Sequence, residues 1–232
     1  RRLAKSKLMR IWPAVFIVCL VNITQAAPDL ILRNGLIYDG TGRAPFKGDV
    51  VIKKGRIIAV GDVAQAGNPG KVINVKGLAI VPGFIDVHTH AENITHHPKA
   101  ENFLRMGVTT LILGNCGSSK LKLGEFFTKL EQSGFSPNIA SLIGHGTIRK
   151  QIMGGSFRRP PSVKELAAMK HLVDQAMRDG ALGMSTGLIY LPGTFARTDE
   201  LVALSKIVSS YGGLYVSHMR SEGTNIFNAV EE

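Results

Sequence analysis

Cysteine and aromatic residues are both scarce in this sequence of 232 residues. Two cysteines, Cys19 and Cys116, exclude a disulfide-rich scaffold. Aromatic residues make up 6% of the chain, which argues against a protein that stacks nucleic-acid bases on aromatics interleaved with a basic face. Glycine has no regular period and 44% of the residues are hydrophobic, so a collagen-like or a disordered chain is excluded as well.

Acidic residues are fewer than basic ones, and the formal net charge is +11. Five of the 28 Lys and Arg residues lie within the first 28 positions, where no acidic residue occurs. The other 23 cations and the 17 acids leave a charge of +6, spread without a long basic run. We therefore predict a mildly basic, solvated surface and no nucleic-acid partner.

Long hydrophobic runs are absent except near the start of the chain. Residues 1–10 are basic, residues 11–23 are almost continuously apolar, and Thr24-Gln25-Ala26 follows. This order is typical of a secretory signal peptide, which we predict over residues 1–26. The apolar run of about 13 residues is short for a bilayer of ~30 Å, and an uncleaved membrane anchor is the alternative. Export predicts a periplasmic or secreted protein with no stable membrane span after cleavage, in which Cys116 has no partner for an internal disulfide.

Residues 27–80 carry short β-branched runs separated by turn dipeptides such as Asn34-Gly35 and Lys54-Gly55. The runs lie at 30–32, 35–38, 49–52, 56–60 and 72–75. No helical segment intervenes, so the pattern predicts a small antiparallel sheet rather than a dinucleotide-binding unit.

Residues 81–232 have a different pattern, in which apolar strand-like runs alternate with segments of helical periodicity. One helix is predicted from Ser162, which has capping-box spacing to Glu165, as far as Gly180, and another from a Thr198 cap to Gly212. Repeated strand–helix units predict an α/β fold with a parallel sheet or barrel. At about 31 residues per unit of a ~250-residue barrel, the region amounts to about five units of a (β/α)8 barrel. The predicted strands are 80–87, 109–113, 139–143, 181–185 and 214–217.

Metal-binding side chains follow these predicted strands at their carboxyl ends, where barrels place their active sites. His88 and His90 are two residues apart and therefore face the same side of an extended segment. Cys116 follows the second strand and His218 follows the fifth. Because imidazole and thiolate ligands suit zinc, we predict a site for one or two zinc ions at these four residues.

Other polar residues at the same strand ends are candidates for supporting roles. His145, Ser185 and Arg220 are predicted substrate contacts, and Thr186 could add a hydroxyl. An arginine near the metal could pair with a substrate carboxylate, although a structural ion pair is the alternative for Arg220. Asp86 is predicted to hydrogen-bond a metal-binding imidazole.

Three further histidines are not expected to bind metal. We expect His96 and His97 to be solvated loop residues, and His171 to be structural or exposed.

Residues 81–90, which read Val-Pro-Gly-Phe-Ile-Asp-Val-His-Thr-His, resemble the first-strand signature of the amidohydrolase superfamily. Within that superfamily the chain resembles the N-acyl-D-amino-acid deacylases, or D-aminoacylases. The resemblance extends over nearly everything after residue 26 and implies a TIM-like barrel beside a small β-sandwich that includes residues 27–80. The segments that carry it are 107–110, 114–117, 144–149, 180–188 and 215–220.

The resemblance also implies how metal is held. His88 and His90 would bind one position, and Cys116 with His218 would help to hold a second, more tightly bound zinc. Many amidohydrolases use a carboxylated lysine from the fourth strand end, but residues 184–187 contain no lysine, so the Cys116 thiolate would replace it. The family's strand-six histidine and strand-eight catalytic aspartate are expected beyond residue 232, so we assign no catalytic residue and expect a C-terminally truncated fragment.

The implied function is zinc-dependent hydrolysis of the linear amide bond of N-acyl-D-amino acids, in which zinc supplies hydroxide near neutral pH. A cyclic-amide hydrolase of the dihydroorotase or hydantoinase type is one alternative, which the missing lysine disfavours. A non-catalytic exported metal-binding protein is another. The preference for D-amino acids follows from the family alone.

Overall fold

The computed structural model describes residues 27–63 and 69–232. The predicted signal peptide at 1–26 lies outside the described residues. The chain divides into two compact units, with the boundary between Pro82 and Gly83. Within the described ranges, no helix combines the length and the apolar character that crossing a membrane requires.

The first unit is a five-stranded sheet. Its strands are β1 (Leu30–Ile37), β2 (Phe46–Lys53), β3 (Arg56–Gly61), β4 (Lys71–Asn74) and β5 (Ala79–Ile80). β1 pairs antiparallel with β2, and β2 with β3, whereas β4 and β5 both pair parallel with β1. The prediction of an antiparallel sheet is wrong for the parallel pairs, because they join segments distant in sequence that turn dipeptides do not reveal.

The Asn34-Gly35 dipeptide is not the turn that the sequence predicts. β1 is continuous through it, with a register shift between Leu32 and Gly35 against β2. Asn34 has a φ of 63°, so the left-handed backbone that favours Asn forms a bulge and not a reversal. A Cβ at Gly35 would lie 2.4 Å from Ile80 Cδ1, which explains why glycine follows.

The second unit contains two parallel three-stranded sheets with helices between the strands. The first sheet has the order β6 (Phe84–Asp86), β7 (Val108–Leu113) and β8 (Asn138–Ser141), and the second has β9 (Ile143–Gly144), β10 (Gly183–Gly187) and β11 (Leu214–His218). The helices are α1 (Glu101–Arg105), α2 (Leu123–Ser133), α3 (His145–Met153), α4 (Val163–Arg178), α5 (Thr198–Ser210) and α6 (Ile226–Glu231).

Three predicted barrel strands are wrong in their bounds, of which the one predicted at 181–185 is only displaced, to Gly183–Gly187. The strand predicted at 80–87 is divided, because Ile80 ends β5 in the first unit and Pro82 has no N–H for a ladder. The strand predicted at 139–143 is broken at Leu142, whose N–H donates to the Leu113 carbonyl at 2.9 Å. The break lets β8 pair with β7 and β9 pair with β10, so the chain passes from one sheet to the other.

The two predicted helices are present, but only one begins as expected. The capping box of α4 is confirmed, because Ser162 accepts from the Glu165 N–H and the Glu165 carboxylate accepts from the Ser162 N–H. The Thr198 cap is wrong, because Thr198 is the first residue of α5 and Arg197, which makes no side-chain cap, precedes it. Both helices bury apolar faces in the main core, which includes Leu111, Leu113, Ile143, Met169, Val173, Met184, Leu204 and Val208.

Candidate metal centre

Four side chains of types that can bind metal converge at the carboxyl ends of β6, β7 and β11. The Cys116 Sγ lies 3.2 Å from His88 Nε2 and 3.4 Å from His218 Nδ1. One ligand atom from each of His88, His90 and Cys116 lies within 4.8 Å of the others. Zinc bonds of about 2.0–2.3 Å place the ligand atoms of a tetrahedral site roughly 3.5 Å apart, so this donor set could hold zinc.

His88 and His90 face one side because the residue between them faces the other. Thr89 is buried, and its N–H donates to the Ile112 carbonyl of β7 at 3.1 Å, three residues beyond the end of β6. The two imidazole rings meet edge to face with centroids 5.3 Å apart. The Asp86 carboxylate accepts from the His88 backbone N–H at 3.1 Å, so it fixes the backbone here and not an imidazole.

The loop at 114–117 holds the thiol in an unusual backbone conformation. Cys116 has a φ of 52°, and the flanking Gly114 and Gly117 have φ of 77° and 74°. A left-handed non-glycine residue is uncommon and needs support from its surroundings. Buried Ser185 gives that support, because its Oγ accepts from the Gly117 N–H at 2.9 Å and donates to the Gly114 carbonyl. Ser185 thus positions the cysteine loop in this structure, and the geometry does not favour its predicted contact with substrate.

Close backbone packing explains the glycines around the thiol. A Cβ at Gly117 would lie 2.8 Å from the Gly187 N, and a Cβ at Gly187 would lie 2.2 Å from the Cys116 carbonyl oxygen. The loop after β7 and the end of β10 therefore approach each other closely only because these positions are glycine. The buried Thr186 beside them hydrogen-bonds to Ser217 at 2.9 Å, so its hydroxyl is also engaged within the protein.

Glu222 places a negative charge near the thiol, beyond the His218 ring. Its carboxylate lies 2.9 Å from His218 Nε2, while Nδ1 of the same ring faces Cys116. Burial raises the pKa of the Cys116 thiol, and the negative charge of Glu222 raises it further. A cation has the opposite effect and deprotonates a coordinating thiol. The approach of Glu222 to the ring lacks hydrogen-bond geometry, since His218 Nε2 has no hydrogen-bond partner among the described residues, so the contact with Glu222 is electrostatic.

His145 belongs to a buried charge network and not to an exposed surface. It is fully buried, and its Nε2 lies 2.8 Å from Glu200 Oε1. Arg149, also fully buried, pairs with the other Glu200 oxygen. Burial alone would raise the pKa of Glu200, but hydrogen bonds from His145 and Arg149 outweigh it and hold the pKa below its ordinary value. The geometry does not favour the predicted substrate contact of His145.

Sequence reasoning missed Arg149 and Glu200 as members of this network. Glu200 lies beside Leu201 and four residues before Leu204, at the edge of the apolar face of α5. A charge in that position is a signal of a buried pair, but the sequence does not identify a partner 51 residues away.

Arg220 is engaged by the chain itself. It makes two hydrogen bonds of 2.7 Å to the Glu232 carboxylate. It also donates to the carbonyls of Thr194 and Ala196, at 2.8 and 3.0 Å. This is the structural ion pair foreseen as the alternative, and the substrate contact of Arg220 stays a prediction. The three histidines expected to lie outside the metal site, namely His96, His97 and His171, are all exposed.

A cleft of about 830 Å³ opens beside the thiol. Two of the candidate metal ligands, His90 and Cys116, contribute to its wall. The rest comes from the loop after β7, one face of α3, and the end of β10 with the segment that follows it. These residues are Gly117, Ser118, Leu121, Gly146, Thr147, Lys150, Gln151, Gly187, Tyr190, Leu191, Pro192 and Gly193.

No protein-family model matches the chain. Among curated proteins, D-aminoacylase from Alcaligenes xylosoxydans xylosoxydans is 33% identical, over an alignment that covers 88% of this chain and 47% of that protein. N-acyl-D-aspartate deacylase from the same organism is 34% identical over 89% of this chain and 46% of its own length. N-acyl-D-glutamate deacylase from this organism is 33% identical over 90% of this chain and 47% of its own length. The chain therefore spans about half the length of the curated relatives it matches.

Solved structures give the same result. The crystal structure of a D-aminoacylase matches with a TM-score of 0.83 at 34% identity, over 88% of this chain and 48% of that one. N-acyl-D-glutamate deacylase from Bordetella bronchiseptica, solved with zinc and a phosphonate inhibitor, matches with a TM-score of 0.83 at 30% identity, with the same coverage. L-hydantoinase from Arthrobacter aurescens, at 16% identity and a TM-score of 0.58, shares the fold alone. The predicted TIM-type α/β fold is confirmed over the matched region.

Proposed function

This chain belongs to the D-aminoacylase family of the amidohydrolase superfamily, and on that premise we propose that it forms part of a zinc-dependent hydrolase of N-acyl-D-amino acids. The observation that supports the proposal most directly is the convergence of His88, His90 and His218 around the Cys116 thiol. Names of the relatives support the substrate class, because they specify N-acyl-D-aspartate and N-acyl-D-glutamate.

One or two zinc ions would be held by these four residues. When bound, zinc supplies a nucleophile at neutral pH by lowering the pKa of bound water, and it polarises the amide carbonyl. The chain's own contribution is to hold the ligands in place. Ser185 fixes the loop that carries Cys116, and the Glu222 carboxylate lies 2.9 Å from Nε2 of the His218 ring, on the side away from the thiol. Amide hydrolysis also needs a general base that takes up a proton, and we assign that role to none of the residues described above.

The test uses the complete natural protein that contains this sequence. We expect bound zinc, hydrolysis of N-acetyl-D-methionine, and little activity on the L-enantiomer. A Cys116→Ala variant should lose both zinc and activity, whereas a His171→Ala variant should keep both, because His171 is exposed and outside the site. Hydrolysis of hydantoin or dihydroorotate in place of the acyl amino acid would support the cyclic-amide alternative. Zinc without any hydrolysis would support the non-catalytic one.

We also propose that the protein is exported, on the strength of the signal-like order of residues 1–26. Cell fractionation followed by N-terminal sequencing tests this directly. A periplasmic or secreted protein that begins at residue 27 is expected. A cytoplasmic protein that retains residues 1–26 would contradict the proposal.

A further inference from the structure

One face of α3 forms part of the wall of the cleft beside the thiol. Gly146, Thr147, Lys150 and Gln151 line the same cleft as Cys116. Residues four apart lie one above the other on a helix, so the pairs 146/150 and 147/151 make a single stripe. The stripe therefore faces the space in which a molecule beside the metal ligands would sit.

Arg149, on the buried side of α3, fixes how the helix is rotated about its axis. This fully buried guanidinium pairs with Glu200 and donates to the carbonyls of Phe157 and Arg159, at 2.9 and 2.7 Å. Consecutive helix residues point about 100° apart, since a turn holds 3.6 residues. Because Arg149 is anchored towards the interior, its neighbour Lys150 is turned towards the cleft.

Lys150 is the one lysine or arginine among the residues that line this cleft, and none of those residues is a carboxylate. Its side chain is exposed and makes no hydrogen bond or ion pair with the part of the chain that the structure describes. Basic side chains at neighbouring helices do pair with acids: Lys122, just before α2, pairs with Glu125, and Arg178, at the end of α4, pairs with Asp174. The cleft thus presents a positive charge that no neighbouring acid neutralises.

We propose that Lys150 is a specificity-determining residue that binds a carboxylate of the substrate in this cleft. The inference rests on the proposed function, because a cleft beside zinc ligands would hold the acyl amino acid. Two carboxylates have this chemistry, namely the α-carboxylate of every such substrate and the side-chain carboxylate of the acidic ones. The relatives do not discriminate between them, since the aminoacylase, the aspartate enzyme and the glutamate enzyme are 33%, 34% and 33% identical to this chain.

The experiment compares N-acetyl-D-glutamate with N-acetyl-D-glutamine, which has the same shape but no side-chain charge. In the complete zinc-loaded protein, Lys150→Met should raise KM about tenfold, the low end for a hydrogen bond to a charged group, because the cleft is open to solvent. The change in kcat should be much smaller, and Lys150→Arg should recover most of the loss. A rise for glutamate alone identifies the side-chain carboxylate, and an equal rise for both substrates identifies the α-carboxylate.

Lys129→Met is the matched control, because Lys129 is an exposed lysine of α2 outside the cleft. Unchanged KM for both substrates in Lys150→Met, or an equal change in Lys129→Met, would overturn the proposal.

Calorimetry separates this inference from the proposed function. If the wild-type protein hydrolyses neither substrate, the proposed function fails, but the affinity for N-acetyl-D-glutamate still tests Lys150. A Kd about tenfold weaker in Lys150→Met supports the inference. An equal Kd, or no binding by the wild type, refutes it.

Discussion

Replacement of Glu200 by glutamine should destabilise the second unit severely. The substitution keeps the shape of the side chain but removes the charge that Arg149 and His145 share. Glu200 is 2% exposed and both partners are 0% exposed, so water cannot replace the lost interaction. Removal of one partner of a buried ion pair typically costs 3–5 kcal/mol, since the other charge is left uncompensated. Three backbone carbonyls still accept from Arg149, so we expect about 3 kcal/mol, near the lower limit of that range.

Urea denaturation measures this difference. With a slope of about 2 kcal/mol per molar urea, the midpoint should fall by roughly 1.5 M. Glu101→Gln is the matched control, because its ion pair with Arg105 is 3.6 Å long and both side chains are at least 60% exposed; it should cost under about 0.5 kcal/mol. In the Arg149→Met, Glu200→Gln double variant the loss should be smaller than the sum of the single losses, because no unpaired guanidinium remains. A Glu200→Gln midpoint equal to that of the control would refute the reasoning.

Three further outcomes are expected. The stability that Glu200 contributes should be complete above about pH 4.5, the ordinary pKa of a glutamate, and should be lost as the pH falls through the lower pKa of Glu200 in the folded protein. Between pH 7 and pH 3 the urea midpoint should therefore fall less steeply with pH in Glu200→Gln than in the wild type. An equal slope in the two proteins would contradict this. Gly117→Ala should destabilise by several kcal/mol and Gly134→Ala by about 1 kcal/mol. Both glycines have positive φ, but only at Gly117 would a Cβ meet backbone, at 2.8 Å from the Gly187 N. Equal losses would count against the close approach of Gly117 to Gly187. Ser162→Ala should lower the free energy of unfolding by about 1 kcal/mol through loss of the α4 cap, and a loss below 0.3 kcal/mol would show that the cap contributes little.

The grouping of the candidate metal ligands could be predicted from sequence because each follows a strong local signal. His88 and His90 follow an apolar run at the two-residue spacing that puts both on one side, and Cys116 stands in a glycine-framed loop directly after another apolar run. In a parallel α/β fold, strand ends meet at one edge, so local signals are enough to bring these residues together. The capping box of Ser162 and Glu165 was predictable for the same reason, since it involves four consecutive residues.

Features that depend on distant pairing could not be predicted in this way. The parallel pairing of β4 with β1 and the division between β8 and β9 are decided by which strands lie side by side, and no local pattern records that. The supporting role of Ser185 likewise requires a loop 68 residues away in the sequence. Asn34-Gly35 shows the limit of a local signal, because its left-handed preference was correct but serves a bulge and not a turn.

The most direct test of the central claim is X-ray absorption spectroscopy at the zinc edge of the complete protein, compared with its Cys116→Ala variant. A site held by Cys116, His88, His90 and His218 predicts a sulfur at about 2.3 Å together with imidazole nitrogens at about 2.0–2.1 Å. The sulfur shell should disappear in Cys116→Ala and persist in His171→Ala. A wild-type spectrum that shows only nitrogen and oxygen ligands would contradict the assignment of Cys116 to the metal.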